Sequence, residues 1–83
     1  MAKRDTYNYD LKDGHRVVYR GTTNDPARRM SEHIADGKEF THMKLTSGPR
    51  TRSQAREHEA EALHRYRRGH GGWNPRYNYR DDG

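Results

Sequence analysis

Apolar and polar residues alternate near the start of the chain in the pattern of a β-strand. Over residues 6–11, two tyrosines and a leucine fall on one face, while an asparagine and an aspartate fall on the other. Asp13-Gly14 is then a strong tight-turn signal, and residues 15–20 are expected to run back beside the first strand. The pattern predicts an N-terminal β-hairpin.

The next segment has the end signals of a short helix, followed by a third strand. Asp25 is a natural N-cap, Pro26 suits the first helical position and Gly37 suits the C-terminal stop. These residues predict a helix over residues 26–36. Residues 40–46 are then predicted to form a third strand, which a Gly-Pro pair ends.

The longest helical segment carries an acidic residue inside its apolar stripe. A capping box of Thr51 and Gln54 opens it, and it is expected to run to about Arg68. Helical spacing places five residues on one face: Ala55, Glu59, Ala62, Leu63 and Tyr66. A carboxylate facing a core costs several kcal/mol unless a cation or hydrogen bonds compensate it, so Glu59 predicts a partner such as a metal ion. The alternative is that Glu59 lies at the edge of the stripe and reaches water.

The composition predicts one small domain with a thin core. The chain has 83 residues, of which 28% are hydrophobic, and a mean hydropathy of -1.60. Because large aliphatic residues are few, the six tyrosines must supply much of the packing. We expect a single domain over residues 5–79, with residues 1–4 and 80–83 disordered.

The charge balance favours a polyanionic partner such as nucleic acid. Lys and Arg outnumber Asp and Glu by 17 to 12, which gives a net charge of +5. Because no apolar run follows the basic N-terminus, the sequence predicts no signal peptide and no membrane span. We therefore expect a cytoplasmic protein.

Cysteine and histidine usage argues against structural cross-links. Without cysteine there is no disulfide framework and no thiolate zinc site, which fits a reducing compartment. Six histidines are a poor substitute, because His58 and His64 are six positions apart and do not share a helix face.

Several polar groups line up with the predicted hairpin. Tyr9 and Tyr19 lie on adjacent strands, and their hydroxyls converge if both project from the same face. On the first helix, Arg29 and His33 are four apart and share a face, beside the apolar Met30 and Ile34. Together with the helix glutamate, they form a set of one acid, one guanidinium, one imidazole and two phenols. Taken singly, each group has an ordinary role in packing or solvation.

In order and spacing this set resembles the GIY-YIG nuclease domain. The family signature is a tripeptide ending in Tyr, then Tyr-Ile-Gly, an Arg eight residues after that Gly, a His four further on, a helix Glu and a late Asn. The corresponding residues of this chain are Tyr7-Asn8-Tyr9, Tyr19-Arg20-Gly21, Arg29, His33, Glu59 and Asn78. The resemblance implies an α+β fold with a small central three-stranded antiparallel sheet flanked by helices. It also implies hydrolysis of DNA phosphodiester bonds with one divalent ion, Mg²⁺ or Mn²⁺.

Roles for the matched residues follow from the resemblance and from the chemistry of the groups. Glu59 suits Mg²⁺, and Arg29 can pair with the scissile phosphate. Tyr9 takes the role of general base, for which Arg29, the metal or Lys12 must ease its deprotonation. The other matched residues orient water or phosphate, relay a proton or fix the tyrosine: Tyr19, His33 and Asn78. Asn74 is the second tail amide, but the Pro-x-Tyr-Asn ending resembles the closing motif of the family and favours Asn78.

The signature is altered at both tripeptide centres. Asn8 and Arg20 stand where the family has isoleucine, and Tyr7 replaces its glycine. The Asn8 and Arg20 side chains face away from Tyr9 and Tyr19, so the change at the two centres concerns the opposite face of the sheet. A degenerate nucleic-acid-binding domain of the same fold is therefore the alternative to a nuclease, and an unrelated small structural protein is a third.

No DNA-reading helix is evident in the sequence. Binding is therefore expected to rest on phosphate contacts from six basic residues: Lys12, Arg16, Arg20, Lys44, Arg50 and Arg52. For Arg20 a solvated side chain is the alternative. Specificity is expected to come from an additional DNA-recognition domain or subunit outside this chain.

Overall fold

A computed structural model describes residues 4–78 as an α+β fold. The elements, in chain order, are β1 (Tyr7–Asp13), β2 (Arg16–Thr23), α1 (Pro26–Ala35), β3 (His42–Leu45) and α2 (Arg52–Gly69). The strands form one antiparallel sheet in the order β2-β1-β3. The expected fold class is thereby confirmed. Residues 1–3 and 80–83, which we expected to be disordered, lie outside the described residues.

The predicted hairpin is present, and its strands are longer than predicted. Gly14 has a φ of +63°, which the tight turn between β1 and β2 requires. β2 continues to Thr23 because Gly21 and Thr23 still pair with Tyr9 and Tyr7 of the opposite strand. The predicted end at residue 20 was therefore wrong by three residues. β3 is shorter than predicted, and it pairs with β1 over only four residue pairs.

Both helices have the predicted caps. The Asp25 side chain accepts a hydrogen bond from the Arg28 backbone N–H, and α1 ends one residue before the predicted end. Gly37 follows with a φ of +81°, the left-handed conformation expected of a helix stop. Thr51 and Gln54 form the predicted capping box of α2.

The helix α2 lies over the face of the sheet that carries the altered tripeptide centres. Asn8 is buried and donates its side-chain amide to the Ala55 carbonyl at 2.8 Å. Arg20 donates through Nη1 to the Ala62 carbonyl at 3.3 Å. Polar side chains thus bond to the backbone of α2, in addition to the burial of its apolar Ala55, Ala62 and Leu63.

The hydrophobic core contains two tyrosines, as the composition predicted. The cluster consists of buried residues with three half-buried neighbours packed against them: Tyr9, Leu11, Val18, Tyr19, Phe40, Met43 and Tyr77. Among the described residues, no helix is long and apolar enough to cross a membrane.

The side of helix α1 that is buried carries His33, and not the apolar residues Met30 and Ile34. His33 is the buried residue of α1, while Met30 and Ile34 are 37% and 60% exposed. The position of α1 is therefore set by a polar contact to the tyrosines, which is described next.

Candidate active site

Tyr9 and Tyr19 converge because the residue opposite Tyr9 has no side chain. Tyr9 pairs with Gly21, and the two phenol rings stack with centroids 5.9 Å apart. A Cβ on Gly21 would lie 2.7 Å from both the Tyr9 hydroxyl oxygen and Cε1 of Tyr19. Both tyrosines are almost completely buried, Tyr9 with only 1% of its surface exposed. The glycine of the second tripeptide is therefore what lets both rings reach the same point.

His33 of α1 completes this pair from the neighbouring element. Its Nε2 lies 2.7 Å from the Tyr9 hydroxyl, and its ring centroid is 4.7 Å from that of Tyr19. Burial, together with the charges of Arg29 and Lys38, lowers the pKa of His33 to about 4. The imidazole is therefore neutral at pH 7, and its buried Nδ1 has no hydrogen-bond partner among residues 4–78.

Arg29 lies one helical turn before His33 and connects the phenols with the surface. Its guanidinium interacts with Tyr9 and Tyr19, and its Nη1 donates to Oε1 of Glu32 at 3.2 Å. About 29% of the side chain remains exposed. Arg29 is thus the member of the cluster that can meet a phosphate from solvent while still contacting Tyr9.

The ionisation of Tyr9 is controlled by two opposing effects. Burial and the neighbouring Tyr19 raise the pKa of Tyr9, while Arg29 lowers it. The expected help from Arg29 therefore has the correct direction, but burial outweighs it and the pKa of Tyr9 is raised above its usual value near 10. Lys12 acts elsewhere, on the carboxyl of Asp10, whose pKa burial raises and Arg20 lowers.

Glu59 lines a cleft between α2 and the sheet that also reaches Tyr9. The cleft has a volume of about 470 Å³, and Gly21 contributes to its wall. Burial raises the pKa of Tyr19, Arg29 lowers it, and the Glu59 carboxylate adds a further increase. Glu59 is half-buried, so it is neither enclosed in the core nor fully in water. The exposure of Glu59 is therefore intermediate between the core position and the solvent position that the helix pattern left open.

One carboxylate on an open cleft wall is a donor set that fits Mg²⁺. This ion binds through one or two carboxylates and takes its other ligands from water and substrate phosphate. Among residues 4–78, no group of three or more His, Cys, Asp or Glu could enclose a metal ion. The residues therefore fit a substrate-completed Mg²⁺ site and do not form a closed structural one.

The Asn78 side chain forms its hydrogen bonds with the backbone of Arg20. Its Oδ1 accepts a hydrogen bond from the Arg20 backbone N–H at 2.6 Å, and its Nδ2 donates to the Arg20 carbonyl at 2.8 Å. Asn78 is buried, and the N–H of the preceding residue, Tyr77, donates a hydrogen bond to the Val18 carbonyl. Asn74 accepts from Arg67 and donates to the Asn78 carbonyl. Asn78 and the Tyr77 N–H thus dock the tail on β2 at Arg20 and Val18, while Asn74 connects the tail to Arg67 of α2.

The six basic residues expected to bind DNA are spread over the surface and differ in availability. Arg20 is engaged within the protein: Nε lies 3.7 Å from Oδ1 of Asp10, and the guanidinium lies 5.6 Å from the Tyr66 ring centroid. Arg50 forms a backbone bridge with Thr6, which leaves its side chain half-buried. The remaining four are exposed or half-buried at separate positions: Lys12, Arg16, Lys44 and Arg52.

Two features of the site were not predicted from the sequence. Lys38 lies over the Tyr19 ring at 5.6 Å and pairs with Asp36 at 3.4 Å, although its spacing ties it to no motif. Tyr66 and His70 stack face to face at the cleft, with ring centroids 3.8 Å apart. Their spacing of four on a helix is a signal that could have indicated this pair.

No protein-family model, curated protein or solved structure matches this chain.

Proposed function

We propose that this protein is a cytoplasmic, divalent-metal-dependent endonuclease of the GIY-YIG type that hydrolyses DNA phosphodiester bonds. The observation that carries the proposal is the convergence of Tyr9, Tyr19, His33 and Arg29 from three elements onto a point at Gly21. The cleft that holds Glu59 opens at the same glycine. A net charge of +5 supports a polyanionic substrate.

The groups of the cluster match the needs of phosphodiester hydrolysis. The reaction needs an activated water, neutralised charge on the phosphoryl oxygens and help for the leaving alkoxide. Arg29 meets the phosphate, and Mg²⁺ or Mn²⁺ at Glu59 supplies Lewis-acid chemistry when bound. Tyr9 acts as the base once Arg29 and a bound cation together lower its pKa, since burial holds that pKa high.

His33 supports the ionised form of Tyr9. A neutral imidazole has one N–H, so Nε2 either accepts from the Tyr9 hydroxyl or donates to its oxygen. With a pKa of about 4, His33 is a poor acceptor for the Tyr9 proton. It serves Tyr9 as a donor, because Nε2–H stabilises the phenolate that remains after Tyr9 gives its proton to solvent.

Plasmid nicking by the purified protein tests the proposal. We expect nicking with Mg²⁺ or Mn²⁺, no nicking in EDTA, and loss of nicking in Glu59→Gln with the circular dichroism spectrum retained. The amide keeps the shape of the side chain but removes the anionic ligand. Glu61→Gln is the matched control, since Glu61 lies exposed on the same helix. Full activity in EDTA or in Glu59→Gln would refute the metal-dependent mechanism.

A second candidate function is DNA binding without turnover. It is favoured by the burial of Tyr9, which is 1% exposed, and by its raised pKa. Absence of nicking at every metal and pH, with DNA affinity retained, would support this function against the nuclease.

A further inference from the structure

The aromatic pair at the end of α2 is built as a stacking surface. The Tyr66 and His70 rings are parallel to within 5°, with centroids 3.8 Å apart. His70 Nδ1 donates to the Tyr66 carbonyl at 2.8 Å, and this bond fixes the imidazole over the phenol. His70 is exposed and Tyr66 is half-buried, so the stacked pair meets solvent. Capping of the helix accounts for the hydrogen bond, but it does not require parallel rings at a cleft wall.

The cleft beside this pair has the size and lining of a ligand site. Its volume of about 470 Å³ lies within the range of about 300–1,000 Å³ that small-molecule pockets occupy. Tyr66 and His70 line it together with Tyr9, Gly21 and Glu59. The stacking surface therefore shares one cavity with two of the candidate catalytic residues, Tyr9 and Glu59.

The charges around the cleft suit a nucleotide. The Arg20 guanidinium lies against the Tyr66 ring, and Arg65 lines the cavity from an exposed position on α2. Thr46 and His58 add hydrogen-bonding groups for a base edge. Flat rings flanked by cations are the combination with which proteins hold unpaired bases.

We infer that this cleft binds an unpaired nucleobase of the substrate strand, stacked on the Tyr66–His70 pair, next to the phosphate that is cut. This inference rests on the proposed function and names its substrate class: DNA with a single-stranded, bulged or flipped nucleotide. Bases within a regular duplex are stacked on their neighbours and do not reach a side-chain ring. The protein is therefore selective for DNA structure and not for sequence.

Fluorescence of 2-aminopurine tests the inference without turnover. The probe is placed as a single-nucleotide bulge in a duplex and titrated with the Glu59→Gln protein in metal-free buffer. We expect strong quenching on binding, and about tenfold tighter binding than to the fully paired duplex, the lower end of one base–aromatic stacking interaction.

Variants of His70 separate stacking from folding. His70→Ala should abolish the quenching and the tenfold preference, and His70→Trp should restore both, while His64→Ala, an exposed histidine of the same helix outside the cleft lining, should behave as the parent. Equal affinity for bulged and paired DNA, or full quenching in His70→Ala, would overturn the inference. Quenching without nicking by the parent protein would refute the nuclease alone, and nicking without quenching would refute the base site alone.

Discussion

At the residue scale, Tyr9 is the group on which the proposed chemistry depends. Its hydroxyl is buried, lies 2.7 Å from His33 and is influenced by Arg29, which is itself half-exposed. The same burial that orients the phenol opposes its ionisation. In the proposed mechanism, a substrate phosphate that pairs with Arg29 therefore changes the pKa of Tyr9 directly.

Tyr9→Phe and Arg29→Ala should each lower the single-turnover rate of DNA cleavage far more than they weaken DNA binding. The expected loss in rate is at least about 10²-fold, because both side chains act mainly on the transition state. Arg28→Ala is the matched control, since Arg28 precedes Arg29 on α1 and is 76% exposed. Equal losses in rate and affinity would mark Tyr9 and Arg29 as docking residues.

His33 should make the stability of the protein depend on pH below neutrality. Its pKa is lowered from 6.5 to about 4, so the unfolded chain binds the extra proton first as pH falls. Stability contributed by the neutral, buried imidazole is therefore complete above about pH 6.5 and is lost progressively down to about pH 4, by roughly 1–3 kcal/mol. Urea denaturation across this range should show the loss in the parent and a smaller one in His33→Gln. An identical dependence of stability on pH in the parent and in His33→Gln would contradict this prediction.

At the element scale, polar side chains add hydrogen bonds to the apolar burial between the sheet and its neighbours. The side chains of Asn8 and Arg20 donate hydrogen bonds to carbonyls of α2. The side chain of Asn78, in the tail, accepts a hydrogen bond from the backbone N–H of Arg20. Arg20 therefore connects β2 to α2 through its side chain and to the tail through its backbone. This explains how a sheet with polar tripeptide centres still holds a helix.

Asn78→Ala should destabilise the fold, by about 1–3 kcal/mol in urea denaturation, because it leaves the Arg20 N–H and carbonyl without their partners. Any loss of turnover should accompany this loss of stability. Asn74→Ala should cost less, since Asn74 is only half-buried. A large drop in turnover for Asn78→Ala with unchanged stability would instead favour a direct role at the tyrosines.

At the scale of the whole molecule, the basic residues expected to bind DNA lie on several elements of the described chain. Exposed basic side chains lie on different elements, with Arg16 at the start of β2, Lys44 on β3 and Arg52 at the start of α2. Such a distribution attracts DNA through its phosphates and carries no base readout.

DNA binding should be weak, strongly salt-dependent and nearly independent of sequence. Each phosphate contact contributes about 0.9 to the slope of log affinity against log salt, so Arg52→Ala should lower the slope by about 1 if Arg52 meets a phosphate. Arg20→Ala should change stability more than the slope, because its side chain is held by Asp10 and α2. Measuring the affinities for unrelated duplexes over a salt series tests both the salt dependence and the sequence independence. A preference above about 10³-fold for one duplex at high salt would show base readout.

The sequence by itself determined the local structure of this protein. The Asp13-Gly14 turn, the Asp25 and Thr51 caps and the Gly37 stop are each fixed by interactions within a few residues, and all four are present as predicted. The tyrosine-rich core also followed from composition, because few other side chains were large enough to fill it.

Only the tertiary structure decided which groups meet. It placed β1 at the centre of the sheet, and it buried His33 in preference to Met30 and Ile34, because the enclosed Tyr9 hydroxyl needs a hydrogen-bond partner. It also gave Asn78 to the backbone of Arg20, a contact across 58 residues. Such contacts depend on how distant elements satisfy one another's buried polar groups, and neither spacing nor hydrophobic pattern records that information.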